Sequence, residues 1–172
     1  MGPQDYRFSL SGQLAWHYAG PSAGGGGSTP VLHGGYAYTR GFFDTPLILG
    51  KSSGTAVGTF ASISAPAFDS TNMYTLQGGN LVAVSPSGSP NRWTFNNGSL
   101  DTAPVVNNGV VYIGSSTGRV YGVSASSGVK VWAGTAGPAI GGPVEDGIQT
   151  GLAIGGRLLV VPARNVVTAF GD

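Results

Sequence analysis

The sequence predicts an all-β protein, and three observations carry that prediction. Glycine (31 residues) and proline (11) punctuate a chain of 172 residues in which 41% are hydrophobic and only 9% charged. That apolar content is enough to bury a core, and the density of turn formers interrupts any long helix. Next, apolar runs of four to six residues alternate with turn pairs such as Gly78-Gly79 and Asn108-Gly109. Asn-Gly accepts positive φ at both turn positions, which makes it a strong hairpin signal. Last, the pattern recurs. The stretch "TAPVVNNGVVYIGSSTGRVYGVSASSGVKVW" (102–132) has counterparts at 28–60 and 64–95, and a shortened one at 149–170. Pro30, Pro66 and Pro104 lie 36 and 38 residues apart, and Leu152 takes the corresponding place in the last unit. A period near 40 in a β-rich chain signals a β-propeller, with one four-stranded antiparallel blade per repeat.

In chain order, residues 12–18 read as an outermost strand standing alone, and "DYRFSL" before it as a remnant of a preceding strand. Three full repeats follow, at about 28–60, 64–95 and 102–134, and a last unit at 149–170 has three strands. The whole of 1–172 is expected to form one propeller domain. The strand at 12–18 is expected to complete the last blade and hide the sheet edges. Within one chain this makes a four-bladed ring. Two chains exchanging their first strands make an eight-bladed homodimer, and a piece of a longer propeller is a third arrangement.

"GVSASSGVKVW" (122–132) resembles the Trp-docking motif of pyrroloquinoline-quinone-type (quinoprotein-like) propeller repeats, Ala-x-Asp-x-x-x-Gly-x-x-x-Trp. Gly128 and Trp132 match, with Gly122 and Ser124 in place of Ala and Asp. Gly12 and Trp16 carry the same spacing in "SLSGQLAW" (9–16). "AVSPSGSPNRW" (83–93) keeps Ala83 and Trp93 with its glycine displaced to Gly88, and in "LGKSSGTAVG" (49–58) Gly54 is present but Gly58 stands where Trp would be. The resemblance implies that each Trp lies on the outermost strand and packs between neighbouring blades, where a large ring covers much apolar surface. It implies that the glycine allows the tight turn into that strand.

The resemblance does not extend to the cofactor. Quinone-dependent enzymes of this class use Ca²⁺, acidic ligands and often a vicinal cysteine pair, whereas this chain has no Cys and no acidic cluster. No cofactor and no metal site are therefore expected. His17 and His33 are the only histidines, and a metal would need further ligands. Glu145-Asp146, in the insert 136–149, supply two carboxylates where Ca²⁺ wants six to eight oxygens. The glycine-rich segment 20–29 lacks the Lys-Ser/Thr of a phosphate loop and reads as an interblade loop or linker. The innermost strands begin "TPVLHGG", "APAFDS", "APVVNN" and "GLAIGG", so only His33 and Asp69 titrate there, which argues against catalysis.

Eight basic and seven acidic side chains give a net charge of +1 without a basic stripe, so no nucleic-acid partner is expected. No apolar run reaches the ~18 residues of a membrane span, and the start shows no signal-peptide pattern. From the low charge and polar uncharged composition, an extracytoplasmic or secreted location is expected. The expected function is a non-enzymatic binding or scaffold module for a protein or polysaccharide. Its candidate contacts are Arg40, Phe42, Phe43, Glu145 and Asp146 on propeller loops. A fragment of a quinoprotein-like enzyme with a site at the ring centre, and a structural repeat of a large surface protein, are the alternatives.

Overall fold

A computed structural model describes residues 4–20, 26–41, 45–140 and 151–171. Every regular element in it is a β-strand. Strands β1 (Gln4–Phe8) and β2 (Leu14–Ala19) form a two-stranded antiparallel sheet. The first four-stranded sheet is β3 (Gly26–His33), β4 (Tyr36–Gly41), β5 (Leu47–Gly50) and β6 (Ala56–Thr59). The second is β7 (Ala67–Phe68), β8 (Met73–Gln77), β9 (Asn80–Val84) and β10 (Asn91–Phe95). The third is β11 (Val105–Asn107), β12 (Val110–Gly114), β13 (Arg119–Ser124) and β14 (Lys130–Thr135). The last sheet has three strands, β15 (Ala153–Gly155), β16 (Leu158–Ala163) and β17 (Val166–Gly171). Each is an antiparallel meander with neighbours in chain order, the strand arrangement of a propeller blade.

Turn chemistry sets the register. Asn107 faces Val110 across a two-residue turn in which Asn108 has φ 48° and Gly109 φ 74°. That backbone matches the right-handed twist of the flanking strands. One expectation is corrected here. Residues 12–18 do not form an isolated strand, because β2 pairs along its length with β1, from Gln4 opposite Ala19 to Phe8 opposite Leu14. Its main-chain groups need partners, and "QDYRF" supplies them.

The chain divides into two compact units, residues 1–61 and 62–172. In the first, Ala37, Tyr38, Ile48, Leu49 and Phe60 are buried, and the Tyr38 and Phe60 rings meet edge-on at 5.7 Å. The Thr39 hydroxyl lies 2.9 and 3.0 Å from the two carboxylate oxygens of Asp5, which ties β1 to β4. The second unit has two core clusters. Tyr74, Leu76, Leu81 and Ala83 from the second sheet pack with Val111, Ile113 and Val123 from the third. Val120 and Ala136, with Ile140 beyond β14, then pack with Leu159, Val161 and Ala163 of the last sheet. Alternate strand residues therefore reach across to the next sheet, and face-to-face stacking is what removes them from water.

Candidate functional site

Two tryptophans show what the docking motif does. Trp16 on β2 donates its indole N–H to the Lys51 carbonyl at 2.9 Å. Trp93 on β10 donates to the Ala125 carbonyl at 3.0 Å. Each carbonyl lies three residues before a glycine in the left-handed region, Gly54 (φ 69°) and Gly128 (φ 72°). A Cβ on Gly54 would meet the Trp16 ring at 2.6 Å, and one on Gly128 would meet Trp93 at 2.8 Å. The glycine of each motif thus receives the tryptophan of the preceding repeat, besides making its own tight turn. The spacing Lys51–Gly54 and Ala125–Gly128 carries this signal, but it becomes readable only once a ring is seen seated there.

Trp132 on β14 sits differently. Its ring meets Phe170 edge-on at 5.1 Å and Tyr112 at 6.2 Å, and among the described residues its indole nitrogen has no acceptor. Gly12 (φ 81°) closes the β1–β2 turn by donating its N–H to the Ser9 carbonyl at 2.9 Å. Among the described residues nothing lies within 4 Å of the place where its side chain would begin.

Asp69 and His33 are the titratable groups singled out at the inner strands. The Asp69 carboxylate accepts hydrogen bonds from the Tyr74 hydroxyl (2.5 Å), the Thr71 N–H and hydroxyl (2.7 and 2.9 Å) and the Asn72 N–H (2.7 Å). Burial by itself would raise its pKa; the hydrogen bonds outweigh burial and hold it below the usual carboxylate value. The Tyr74 hydroxyl is pushed well above its ordinary value, first by burial and then by the bond to Asp69. The hydroxyl has one proton, and the short bond to Asp69 claims it. Its 3.4 Å approach to the Ala125 carbonyl is therefore a packing contact. The Asn72 Nδ2 also faces that carbonyl at 3.4 Å, so Asp69, Tyr74, Asn72 and Trp93 together position the Ala125 turn. Sequence reasoning missed Asn72, Tyr74 and Ala125, whose roles depend on contacts 32 to 53 residues apart.

This cluster has a pH signature. Asp69 has a depressed folded pKa, so its contribution is present above about pH 4, the unfolded value, and is lost as pH falls through the folded value. Tyr74→Phe removes one donor to that carboxylate and should cost about 1–2 kcal/mol at pH 7. The difference from wild type should shrink at pH 3. Urea unfolding at the two pH values checks this; an equal difference at both would remove Asp69 from the account.

Among the other candidate residues, Arg40 lies on β4, half-buried, with burial lowering its pKa from the ordinary value. Phe42, Phe43, Glu145 and Asp146 lie outside the described residues. His33 ends β3; His17, on β2, stacks on Tyr6 at 4.5 Å and contacts the Gln4 side chain at 2.5 Å. Among the described residues no three His, Cys, Asp or Glu side chains gather as a metal site would require. No described helix is long and apolar enough to cross a membrane.

The family model of the outer membrane protein assembly factor BamB matches residues 6–170. This chain belongs to the BamB family. BamB from Moraxella catarrhalis has a similar structure, with a TM-score of 0.72 at 14% identity over 98% of this chain and 52% of that one. The computationally designed protein Ika4 matches at a TM-score of 0.69 and 10% identity, over 88% of this chain and 93% of that one. Quinohemoprotein alcohol dehydrogenase from Comamonas testosteroni matches at 0.55 and 20% identity, over 65% of this chain and 21% of that one. No curated protein sequence matches the chain. The fold is a quinoprotein-like β-propeller, and the chain spans about half the length of the BamB it resembles.

Proposed function

We propose that this chain belongs to a non-enzymatic propeller scaffold that holds a protein partner outside the cytoplasm. Membership of an assembly-factor family supports the reading. The observation that carries it is the aromatic face of the β1–β2 hairpin. Tyr6 and Phe8, 54% and 58% exposed, stack at 6.2 Å, and His17 lies against Tyr6. Leu10 and Leu14 extend the same exposed hairpin. Stacked, contiguous aromatic surface of this kind marks a partner surface, whereas single exposed apolar residues do not. Arg40 adjoins Thr39, which bonds to Asp5 of the hairpin, so the first unit carries both features. Phe42, Phe43, Glu145 and Asp146 remain candidate contacts through their sequence positions.

No observation favours a polysaccharide or a strand-exchanged homodimer over a protein partner. The likeness to an alcohol dehydrogenase is one of fold, and the Asp69 carboxylate is engaged by Tyr74, Thr71 and Asn72.

The test is site-specific photocrosslinking in the cells that make the protein. Crosslinkers at Phe8, Arg40, Phe42, Phe43, Glu145 and Asp146 should trap one protein. A crosslinker at exposed Val131 on outer strand β14 should trap none. Absence of adducts from the first group, or equal yield from Val131, would overturn the reading.

A further inference from the structure

The sequence holds two Asn-Asn-Gly segments, Asn96-Asn97-Gly98 and Asn107-Asn108-Gly109, and the structure treats them differently. Both glycines have a left-handed backbone, with φ 80° at Gly98 and 74° at Gly109, and Asn97 and Asn108 are both exposed. The contrast lies at the main-chain nitrogen after each asparagine. The Gly98 N–H donates to the Asn80 Oδ1 at 3.0 Å, and the Asn97 N–H donates to the same oxygen at 2.9 Å. The Asn97 Oδ1 in turn accepts the Ser99 hydroxyl at 2.5 Å. In the second segment, among the described residues, neither the Gly109 N–H nor the Asn108 side chain makes a hydrogen bond. Gly109 is tied instead by its carbonyl, which accepts the Ala125 N–H at 2.9 Å.

An asparagine followed by glycine carries an electrophile and a nucleophile that can close a ring on each other. Glycine has no Cβ to block the approach. Hydroxide takes the proton of the Gly109 N–H, and the nitrogen attacks Asn108 Cγ. The N–Cγ bond forms, the Cγ–Nδ2 bond breaks, and Nδ2 takes a proton from water and leaves as ammonia. Water then opens the cyclic imide. Attack at Cγ gives aspartate, and attack at the main-chain carbonyl gives isoaspartate, in which the main chain runs through Cγ. Nothing is oxidised or reduced. Closing the ring takes Asn108 out of its left-handed conformation (φ 48°), a local opening of an exposed two-residue turn. At Asn97 the same opening must also break both bonds to Asn80.

We propose that Asn108 is a site of spontaneous deamidation, that Asn80 shields Asn97 from the same reaction, and that the isoaspartate formed at 108 loosens the seat of Trp93. The link to Trp93 is short. The Gly109 carbonyl holds the Ala125 N–H, and the Ala125 carbonyl accepts the Trp93 indole N–H at 3.0 Å. Isoaspartate adds a main-chain carbon to a turn whose register sets Asn107 opposite Val110, so the Gly109 carbonyl moves away from Ala125. The joint between the second and third sheets thus carries a chemical modification site in its supporting turn.

The test follows both asparagines while the 172-residue chain is held folded at mildly alkaline pH. Trypsin cuts after Arg92 and Arg119, and fragment-ion spectra of residues 93–119 report each asparagine separately. Asn108 should react at least about fivefold faster than Asn97, the factor that one retained hydrogen bond supplies. In urea the two rates should converge. Asn80→Ala should raise the Asn97 rate in the folded chain towards that of Asn108. The aged protein should melt lower in proportion to its isoaspartate content. Asn108→Gly, which keeps the left-handed turn, should age without that loss. Asn97 reacting as fast as Asn108 in the folded chain would overturn the proposal, as would an unreacted Asn108 under conditions where the chain in urea reacts. An unchanged melting temperature in a sample rich in isoaspartate at 108 would overturn the link to Trp93.

Discussion

Trp93→Ala should lower stability by about 3 kcal/mol, the lower end of the range for a tryptophan truncation because the ring is only half-buried. Three losses add up. The ring leaves Gly128, against which it lies so closely that a Cβ there would be at 2.8 Å. The Ala125 carbonyl loses its 3.0 Å donor, and Tyr74 loses its 5.8 Å ring neighbour. Both sheets joined by the contact carry the buried cluster of Tyr74, Leu76, Val111 and Val123, so the loss falls on the core of the second unit. In a domain of this size 3 kcal/mol corresponds to a fall in melting temperature of about 6–12 °C. Calorimetry would measure it. A shift within 2 °C or so would mean that the ring lies on the surface without holding the two sheets together.

Gly128→Ala should cost about 2–4 kcal/mol, by two separable routes. With φ at 72°, any side chain is strained by roughly 1–2 kcal/mol. The new methyl also meets the Trp93 indole, a rigid ring flanked by Tyr74, which cannot give way cheaply. In a Trp93→Ala background the second route disappears and only the backbone strain remains. The two substitutions together should therefore cost less than the sum of their separate effects by about 1–2 kcal/mol. Additive costs in denaturant unfolding would show that the glycine serves its turn and nothing else.

The same pair of residues shows how far the sequence could be read. Gly128 and Trp132 stand four apart in one segment, and the natural reading joins them to each other. In the structure Gly128 serves Trp93, 35 residues earlier by sequence number. The motif is a hand-over from one repeat to the next, and a one-dimensional pattern does not say which copy a residue touches. The cluster around Asp69 was hidden for the same reason. Asp69, Thr71 and Asn72 form a local turn that spacing suggests, but the positioning of Ala125 by Trp93 depends on stacking two sheets. Strand β1 was visible only as a remnant, because "QDYRF" has few apolar residues and shows its purpose when β2 lies beside it. Candidate loop contacts at Phe42, Phe43, Glu145 and Asp146 were chosen from residue type and position, and lie outside the described residues.

By itself the sequence determined the strand class, the repeat and the turns. These depend on residues near in the chain: apolar runs too short for helices, and glycine or asparagine where φ must be positive, as at Asn108-Gly109. Only the tertiary structure decided which sheet face meets which and which tryptophan seats on which glycine. The physical reason is that docking needs a carbonyl, a left-handed glycine and an indole from separate repeats at one place. Stacked sheets bring them together, and the order of residues along the chain does not state that meeting.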